Sequence, residues 1–156
     1  GTTFRVFLPS RTEVAVDETP SRPGAGEPLD LDLAGRQILV VDDDPATREL
    51  LFELLSHCRA TVTTAASAQA AFDTLERSIP TLVIADIGMP GQDGISMIRE
   101  IRRLPPERGG QVPAIALSAY ARAEDRSTAL RAGFSGFIAK PARPEDVLRA
   151  VQQLLP

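Results

Sequence analysis

The stretch Ile38-Leu39-Val40-Val41-Asp42-Asp43-Asp44-Pro45 is a short apolar run that stops at three aspartates and a proline. An apolar run of this length, bounded by a turn signal, predicts a buried β-strand. Two later runs end in a similar way, because residues 81–85 lead into Asp86 and residues 136–139 lead into Lys140, the only lysine of the chain. Parallel strands bring their carboxyl ends to one edge of a sheet, where ligands bind. The pattern therefore predicts a cation site with one positive side chain beside it.

Short apolar runs alternate with helical patterns from Arg36 to the end of the chain. This alternation predicts an α/β fold with a parallel sheet covered on both faces. Asp44 is a good N-cap for the first helix, and Gly133 suits the turn that ends the fourth. Strands are predicted at 37–41, 60–64, 81–85, 113–117 and 136–139, and helices at 45–57, 67–77, 94–103, 124–132 and 144–154.

The composition of the 156 residues limits the function classes. A net charge of −4 argues against a general nucleic-acid binder. The single Cys58 rules out a disulfide framework, fits a reducing compartment and is expected to be a structural thiol. No apolar stretch approaches the roughly 20 residues of a membrane helix, so we expect a cytoplasmic protein without direct membrane contact. The arginines at 99, 102, 103 and 108 are expected to form a solvated helix face.

The first 35 residues differ in character from the rest of the chain. Residues 10–35 are rich in proline, glycine and acidic residues, which predicts a flexible linker. Residues 1–9 contain the alternating pattern of a strand, and a lone strand cannot stabilise itself. Since the chain does not begin with methionine, we expect a processed product or a fragment of a longer protein.

The predicted strand ends carry side chains suited to phosphate and metal chemistry. Magnesium prefers oxygen ligands, and Asp42, Asp43 and Asp86 supply carboxylates that would repel one another without a cation. The Lys140 ammonium suits a phosphoryl oxygen or a carboxylate. Ser118 ends the fourth strand and can donate one hydrogen bond to an anion at the same edge.

From Arg36 onward, four blocks of sequence resemble the receiver domain of two-component response regulators. The resemblance covers about three-quarters of the chain and implies a flavodoxin-like (βα)5 fold, a doubly wound parallel sheet with the strand order 2-1-3-4-5. The matching blocks lie at residues 38–45, 86–94, 116–119 and 133–141.

The resemblance also implies a metal site and a phosphoacceptor. Asp86 would accept the phosphoryl group. Asp43 and Asp86 would bind Mg²⁺ directly together with the backbone carbonyl of Gly88, and Asp42 would act through water or support the ion. Lys140 would pair with the phosphoryl group or with the Asp86 carboxylate.

Two further residues would form the switch implied by the resemblance. Ser118 would donate a hydrogen bond to the phosphoryl group after transfer, and it stands where threonine is commoner. Phe137 would change rotamer in response. Gly88 and Tyr120 occupy the positions that flank the attacking water in the family. Because glycine cannot orient a water and tyrosine can cover the site, we expect slow self-dephosphorylation.

One departure from the family concerns the backbone before the second strand. The family usually carries glycine in this turn, whereas this chain has Arg59 near that point. We expect a strained or re-routed turn there.

Residues 1–9 resemble the closing strand of a histidine-kinase ATPase domain. This implies a hybrid histidine kinase as the parent, with a kinase remnant at 1–9, a linker at 10–35 and a receiver at 36–156. The parent could be anchored in a membrane. The partner would be the dimerisation domain of a histidine kinase, its own or another, or a histidine phosphotransfer protein. The fragment itself lacks the rest of the kinase.

Alternative functions remain open at this point. An aspartate-nucleophile phosphatase of the dehalogenase type would use Asp42 as its nucleophile, although Ala46 departs from that signature. A receiver-like interaction module would never turn over phosphate. A DNA-binding regulator is not favoured, because the chain ends with the last receiver helix.

Overall fold

The computed structural model describes residues 31–89, 91, 93–119 and 122–155. The predicted kinase remnant at 1–9 and residues 10–30 of the predicted linker lie outside them, as does Tyr120. The folded unit that begins at Leu31 contains all the elements described below. Among its described helices, none combines the length and the apolar character required to cross a bilayer.

Five parallel strands form one sheet in the order β2-β1-β3-β4-β5. This is the predicted flavodoxin-like order 2-1-3-4-5, so the fold prediction is confirmed. The strands are β1 (Gln37–Val41), β2 (Thr61–Ala65), β3 (Leu82–Asp86), β4 (Ala114–Ser118) and β5 (Gly136–Ala139), and the helices are α1 (Pro45–His57), α2 (Ala68–Arg77), α3 (Gly94–Arg102), α4 (Ala123–Ala132) and α5 (Pro144–Leu154), with a 3₁₀ turn at Pro106–Arg108.

The second, third and fourth strands along the chain, β2, β3 and β4, each begin and end one residue later than predicted. The ladder continues past the apolar runs, since Asp86 pairs with Leu117 in register and Ile87 N–H donates to Leu117 O at 2.9 Å. Asp86 and Ser118 are therefore the last residues of buried strands rather than the first residues of loops. Their backbone is held by the sheet itself.

The burial of the strands follows their position in the sheet. Every residue of β3 and β4 is buried, because helices cover both faces of these strands. The edge strand β2 is mostly exposed and uses threonine at three of its five positions.

The turn between α1 and β2 has the strained backbone expected from the sequence. Arg59 has a φ of 78°, a conformation that glycine adopts far more readily. Its N–H donates to Ser56 O at 2.8 Å and that of Ala60 to Leu55 O at 3.1 Å, the hydrogen bonds of a Schellman motif. The prediction of an unusual turn at Arg59 is confirmed.

The described end of the predicted linker packs onto this turn. Leu33 is only 3% exposed, and its N–H donates to Cys58 O at 2.7 Å. Asp32 forms an exposed ion pair with Arg59 at 3.3 Å. Cys58 is itself buried, as expected for a structural thiol, and its burial raises the pKa of the thiol.

Arg102 does not belong to the solvated face predicted for it. Its Nε and Nη2 donate to Gly133 O at 3.0 and 2.7 Å, and its Nη1 donates to Gly110 O at 3.0 Å. Its burial lowers the pKa of the guanidinium. Gly133 ends α4 as predicted, with a φ of 132°, and an added Cβ there would lie 2.7 Å from Arg102 Cγ. Arg102 thus ties the end of α3 to the end of α4.

Candidate functional site

Three carboxylates meet at the carboxyl edge of the sheet. Asp42 and Asp43 follow β1, and Asp86 ends the neighbouring strand β3. One oxygen from each side chain lies within 4.8 Å of the others. Asp42 and Asp86 are buried, whereas Asp43 is exposed. The predicted acidic cluster is therefore present, with one face open to solvent.

The backbone around Asp42 is held at several points. Its N–H donates to Ala65 O at 3.0 Å in continuation of the β1–β2 ladder. Its Oδ1 accepts from the Asp44 N–H at 2.9 Å, and its carbonyl oxygen accepts from Arg48 Nη1 at 2.7 Å. The hydrogen bond from Arg48 was not foreseen from the sequence. Its only sequence signal is an arginine in the first turns of the helix that follows the acidic residues.

Both oxygens of the Asp86 carboxylate have partners. Oδ1 accepts from the Gly88 N–H at 2.9 Å, and Oδ2 accepts from Lys140 Nζ at 3.1 Å. The nearby start of α3 approaches closely because residue 94 is glycine: an added Cβ would lie 2.5 Å from Asp86 O. The carboxylate is thus held in one orientation at the end of β3.

Lys140 bridges two carboxylates rather than one. Its Nζ lies 3.0 Å from Asp42 Oδ2 in addition to its hydrogen bond with Asp86. Its backbone N–H donates to Ser118 O at 2.7 Å, which joins the ends of β4 and β5, and the Lys140–Pro141 peptide bond is cis. Burial opposes the ammonium charge, but the neighbouring Asp42 and Asp86 carboxylates outweigh it and raise the pKa of Lys140.

The buried Asp42 carboxylate lacks part of the stabilisation that its charge requires. Burial raises the pKa of Asp42, and the Asp86 charge adds to this, while the Asp44 N–H and Lys140 act in the opposite direction. Its Oδ2 has the ion pair with Lys140 but no contact with hydrogen-bond geometry. This buried carboxylate oxygen can accept a further contact, and two more carboxylates lie beside it. Such a group of oxygens is suited to binding a hard divalent cation such as Mg²⁺.

Asp44 lies outside this cluster and caps α1, as predicted. Its Oδ1 accepts from the Ala46 N–H at 3.1 Å and its Oδ2 accepts from Thr47 Oγ1 at 2.9 Å. The bond from Thr47, followed by that from Ala46, lowers the pKa of Asp44. The third aspartate of the opening triplet is therefore structural.

The two predicted switch residues lie on the neighbouring strands. Ser118 is buried at the end of β4 and pairs in register with Ala139 of β5. Phe137 is half-buried on β5, packs against the core and borders an open cavity of about 290 Å³ beside α5. Phe137 therefore has both a packed side and an open side.

A larger cavity of about 440 Å³ lies away from these residues. It is formed by the carboxyl-terminal ends of α2 and α3 and the 3₁₀ turn, with Leu75, Ile79 and Leu104 among its lining residues. None of the acidic cluster, Lys140 or Ser118 contributes to it. This cavity is therefore separate from the acidic cluster at the carboxyl edge of the sheet.

A family model and individual relatives of known sequence point to the same family. Residues 38–152 match the family model of the response regulator receiver domain. An uncharacterized 14.6 kDa protein of Leptolyngbya boryana is 50% identical over 121 residues, which cover 78% of this chain and 91% of that protein. The sensor histidine kinase GacS of Pseudomonas protegens is 31% identical over 134 residues, which cover 85% of this chain and 15% of GacS.

A solved structure extends the comparison to the site. The receiver domain of a sensor histidine kinase from Pseudomonas aeruginosa, with magnesium coordinated in its active-site cleft, is 35% identical and superposes with a TM-score of 0.70. The match covers 78% of this chain and 98% of that domain. The chain spans at most half of the length of several other curated relatives that it matches.

Proposed function

This chain belongs to the family of response regulator receiver domains, and on that premise we propose that Asp86 accepts a phosphoryl group from a phosphohistidine. The observation that carries the proposal is the Asp86 carboxylate itself. It ends a buried strand, has both oxygens held by Gly88 and Lys140, and lies within 4.8 Å of the ligand atoms of Asp42 and Asp43.

Asp86 would act as a carboxylate nucleophile. One of its oxygens attacks phosphorus while the bond between phosphorus and the imidazole nitrogen breaks. The electron pair of that bond stays on the imidazole, which takes up a proton, and an acyl phosphate remains on Asp86. Phosphoryl transfer requires alignment and charge neutralisation above all. The Gly88 N–H and Lys140 would hold the carboxylate in alignment, and the Lys140 ammonium would offset the negative charge of the new acyl phosphate.

Asp42, Asp43 and Asp86, with the Gly88 carbonyl, are the residues that would hold Mg²⁺. The ion would neutralise charge on the transferring phosphoryl oxygens and on the carboxylates. Asp43, the exposed member, is open to approach from solvent, whereas the buried Asp42 supports the cluster from beneath. Lys140 holds Asp42 and Asp86 near each other by bridging their Oδ2 atoms.

We assign the response to phosphorylation to Ser118 and Phe137. The Ser118 hydroxyl, at the end of β4, would donate to a phosphoryl oxygen on Asp86. Movement of Ser118 toward the phosphoryl group would open space that Phe137 can fill from its half-buried position on β5. Since phenylalanine has no hydroxyl, the switch would change burial rather than a side-chain hydrogen bond.

The geometry does not favour the phosphatase alternative. That reaction needs Asp42 as the nucleophile, yet Asp42 is fully buried, its Oδ1 accepts from Asp44 and its Oδ2 faces Lys140. Asp86 retains slight exposure, at 6%. Asp86 is therefore slightly more accessible to a phosphoryl donor than Asp42.

We infer that the parent is a hybrid histidine kinase that carries this receiver after its kinase domain. The support is the similarity to GacS and to the receiver of a Pseudomonas aeruginosa sensor kinase, together with the resemblance of residues 1–9 to a kinase strand. The phosphoryl group would come from a kinase dimerisation domain, or pass to a histidine phosphotransfer protein, in the cytoplasm. Residues 10–35 would connect the two domains.

Phosphorylation with a small acyl phosphate donor tests the function directly. We expect Mg²⁺-dependent addition of one phosphoryl group by intact-mass measurement, located on Asp86 by borohydride reduction and peptide mapping. The Asp86→Asn variant should remain unmodified, and chelation of Mg²⁺ should abolish the reaction in the wild type. Phosphate on Asp42 would support the phosphatase, and no modification under any condition would support a module that binds partners without phosphorylation.

A further inference from the structure

We propose that Arg48 is a positioning residue that orients the two metal-binding aspartates through the peptide bond between them. The proposal rests on the assignment of the acidic cluster as the Mg²⁺ site. Arg48 lies on α1, one turn beyond the cap, and its side chain reaches back to the end of β1. It would touch neither the ion nor the phosphoryl group, so it would act only through the aspartates.

The contact falls on the one group that links the two ligands. Arg48 Nη1 donates to Asp42 O at 2.7 Å in a part-buried position. That carbonyl belongs to the peptide unit joining Asp42 to Asp43. Because a peptide unit is planar, fixing its C=O direction also fixes where the Asp43 Cα and side chain begin. Asp43 is exposed, so it depends on its backbone for a defined position.

The other bonds of Asp42 act on different atoms. The Ala65 carbonyl accepts from the Asp42 N–H, and Asp44 N–H donates to Asp42 Oδ1. These contacts hold the strand side of the residue and its carboxylate. The hydrogen bond from Arg48 complements them, because it holds the peptide group between Asp42 and Asp43. The buried Asp42 and the exposed Asp43 are therefore oriented together.

The arginine is well placed to impose this orientation. Arg48 N–H donates to Asp44 O at 3.1 Å, and Asp44 caps the same helix. A side chain carried on a capped helix positions its partner more accurately than one carried on a loop. The guanidinium thus connects the rigid start of α1 to the end of β1 across the acidic turn.

Two effects of Arg48 on Mg²⁺ affinity oppose each other. Its positive charge repels the ion, whereas its hydrogen bond orients the ligands. Arg48 is half-buried and borders an open groove, so water screens its charge. Loss of a group that orients metal ligands commonly lowers affinity by about tenfold or more. Orientation should therefore outweigh repulsion, and loss of Arg48 should weaken binding.

The test compares Arg48→Met, which removes donor and charge, with Arg48→Lys, which keeps both. Arg77→Met is the matched control, because it removes the same charge from an exposed position on α2 outside the site. Amide shifts of ¹⁵N-labelled protein report Mg²⁺ affinity directly. The rate of phosphorylation by an acyl phosphate, measured across Mg²⁺ concentrations, separates half-saturation from the maximal rate.

We expect Arg48→Met to raise the Mg²⁺ dissociation constant about tenfold, with Arg48→Lys in between and Arg77→Met unchanged. The maximal phosphorylation rate at saturating Mg²⁺ should stay within about twofold, which a general loss of structure would not allow. Unchanged or tighter Mg²⁺ binding in Arg48→Met overturns the role of Arg48 while leaving the proposed function intact. If Arg48→Met does not fold, Arg48→Gln, which removes the charge and shortens the side chain, takes its place, and unchanged Mg²⁺ binding in that variant overturns the role of Arg48 equally. Absence of Mg²⁺ binding by the wild type would overturn both proposals.

Discussion

Among the described residues, Lys140 is the side chain whose charge compensates two carboxylates of the site. It lies 3.0 Å from Asp42 Oδ2 and 3.1 Å from Asp86 Oδ2, and it is the only lysine among 156 residues. Burial raises the pKa of Asp42, and the Lys140 ammonium limits that rise. Removing Lys140 should therefore raise the pKa of Asp42 further and make the burial of its charge more destabilising.

In the absence of Mg²⁺, the free energy of unfolding of the Lys140→Met variant should fall as pH rises. An aspartate with a folded pKa above its unfolded value binds its proton more tightly when folded, so stability falls as pH rises from the unfolded value to the folded one. Without Lys140 the pKa of Asp42 moves higher, and this window extends upward. Its contribution to the slope reaches at most about 1.4 kcal/mol per pH unit for one proton.

Urea unfolding between about pH 4 and pH 8 in chelator measures this slope. In the upper part of this pH range, the free energy of unfolding of the wild type should depend less on pH. The reason is that the pKa of Lys140 is raised, so its ammonium stays charged throughout. Saturating Mg²⁺ should flatten the slope of the variant. Identical slopes for the two proteins would contradict the coupling of Asp42 to Lys140.

Gly88 leaves the space beside the acceptor without a side chain. An added Cβ would lie 3.6 Å from Asp86 Oδ1, which is an ordinary contact, so the backbone at this position leaves room for a Cβ. We predict that Gly88→Asn hastens loss of phosphate about fivefold, because an amide can hold the attacking water through one hydrogen bond worth about 1 kcal/mol.

The decay of the phosphorylated protein, followed by intact mass after removal of the donor, measures this rate. Gly88→Ala is the control, since it fills the same space without a hydrogen-bonding group. Decay of the wild type within seconds would refute the expectation of slow self-dephosphorylation. Equal rates for the alanine and asparagine variants would refute the role given to the asparagine amide.

At the scale of elements, the end of α1 is held by a residue ill suited to its backbone. Arg59 takes a φ of 78° within the Schellman motif. Arg59→Gly and Arg59→Ala both lose the exposed pair with Asp32, so their difference isolates the backbone. We predict that the glycine variant is more stable than the alanine variant by about 1 kcal/mol.

Thermal or urea unfolding of the two variants tests this. The same pair of substitutions at Arg126, an exposed position inside α4, should rank the other way, because glycine weakens a helix interior relative to alanine. An alanine variant at position 59 as stable as the glycine variant would show that the turn relaxes to another conformation.

The order and type of the elements could be predicted because each is decided locally. Apolar runs bounded by turns mark the strands, and Asp44 and Gly133 mark helix ends through their own backbone bonding. The strand limits came out one residue early because Asp86 and Ser118 are polar, yet the sheet ladder extends through them. Burial of a polar residue at a functional edge is a tertiary property that composition does not record.

Long-range contacts of arginine could not be predicted for the same reason. The sequence predicts a solvated face for Arg102, whereas its guanidinium donates to Gly133 O, 31 residues away, and to Gly110 O. Arg48 likewise reaches Asp42 O across the β1–α1 turn. A long side chain with several donors selects its partners only after the elements pack, whereas the carboxylates were located by the strands that carry them.

At the scale of the whole molecule, Mg²⁺ binding should be coupled to folding. The carboxylates come from two strands that are brought together only in the folded state, so a bound ion would stabilise the fold. At 100 times its dissociation constant, Mg²⁺ should add about 2.7 kcal/mol to the free energy of unfolding. Asp43→Asn should lose most of this gain.

Urea unfolding with and without Mg²⁺ gives the measurement. Asp43 is exposed, so its substitution should change the stability of the metal-free protein little. Asp146→Asn makes the same charge change on α5 and should retain the full gain. Equal stabilisation of the Asp43 variant and the wild type would argue for nonspecific salt effects and against the assigned ligand set.

The ion pair at Lys140 has a practical consequence for labelling chemistry. This chain carries one ε-amine, and that amine lies between the acceptor and its neighbouring acid. An amine-directed reagent therefore has one side-chain target besides the terminal amine. Its rate of reaction reports how accessible the Lys140 amine is within these ion pairs, so the extent of labelling measures the integrity of the site without any engineered cysteine.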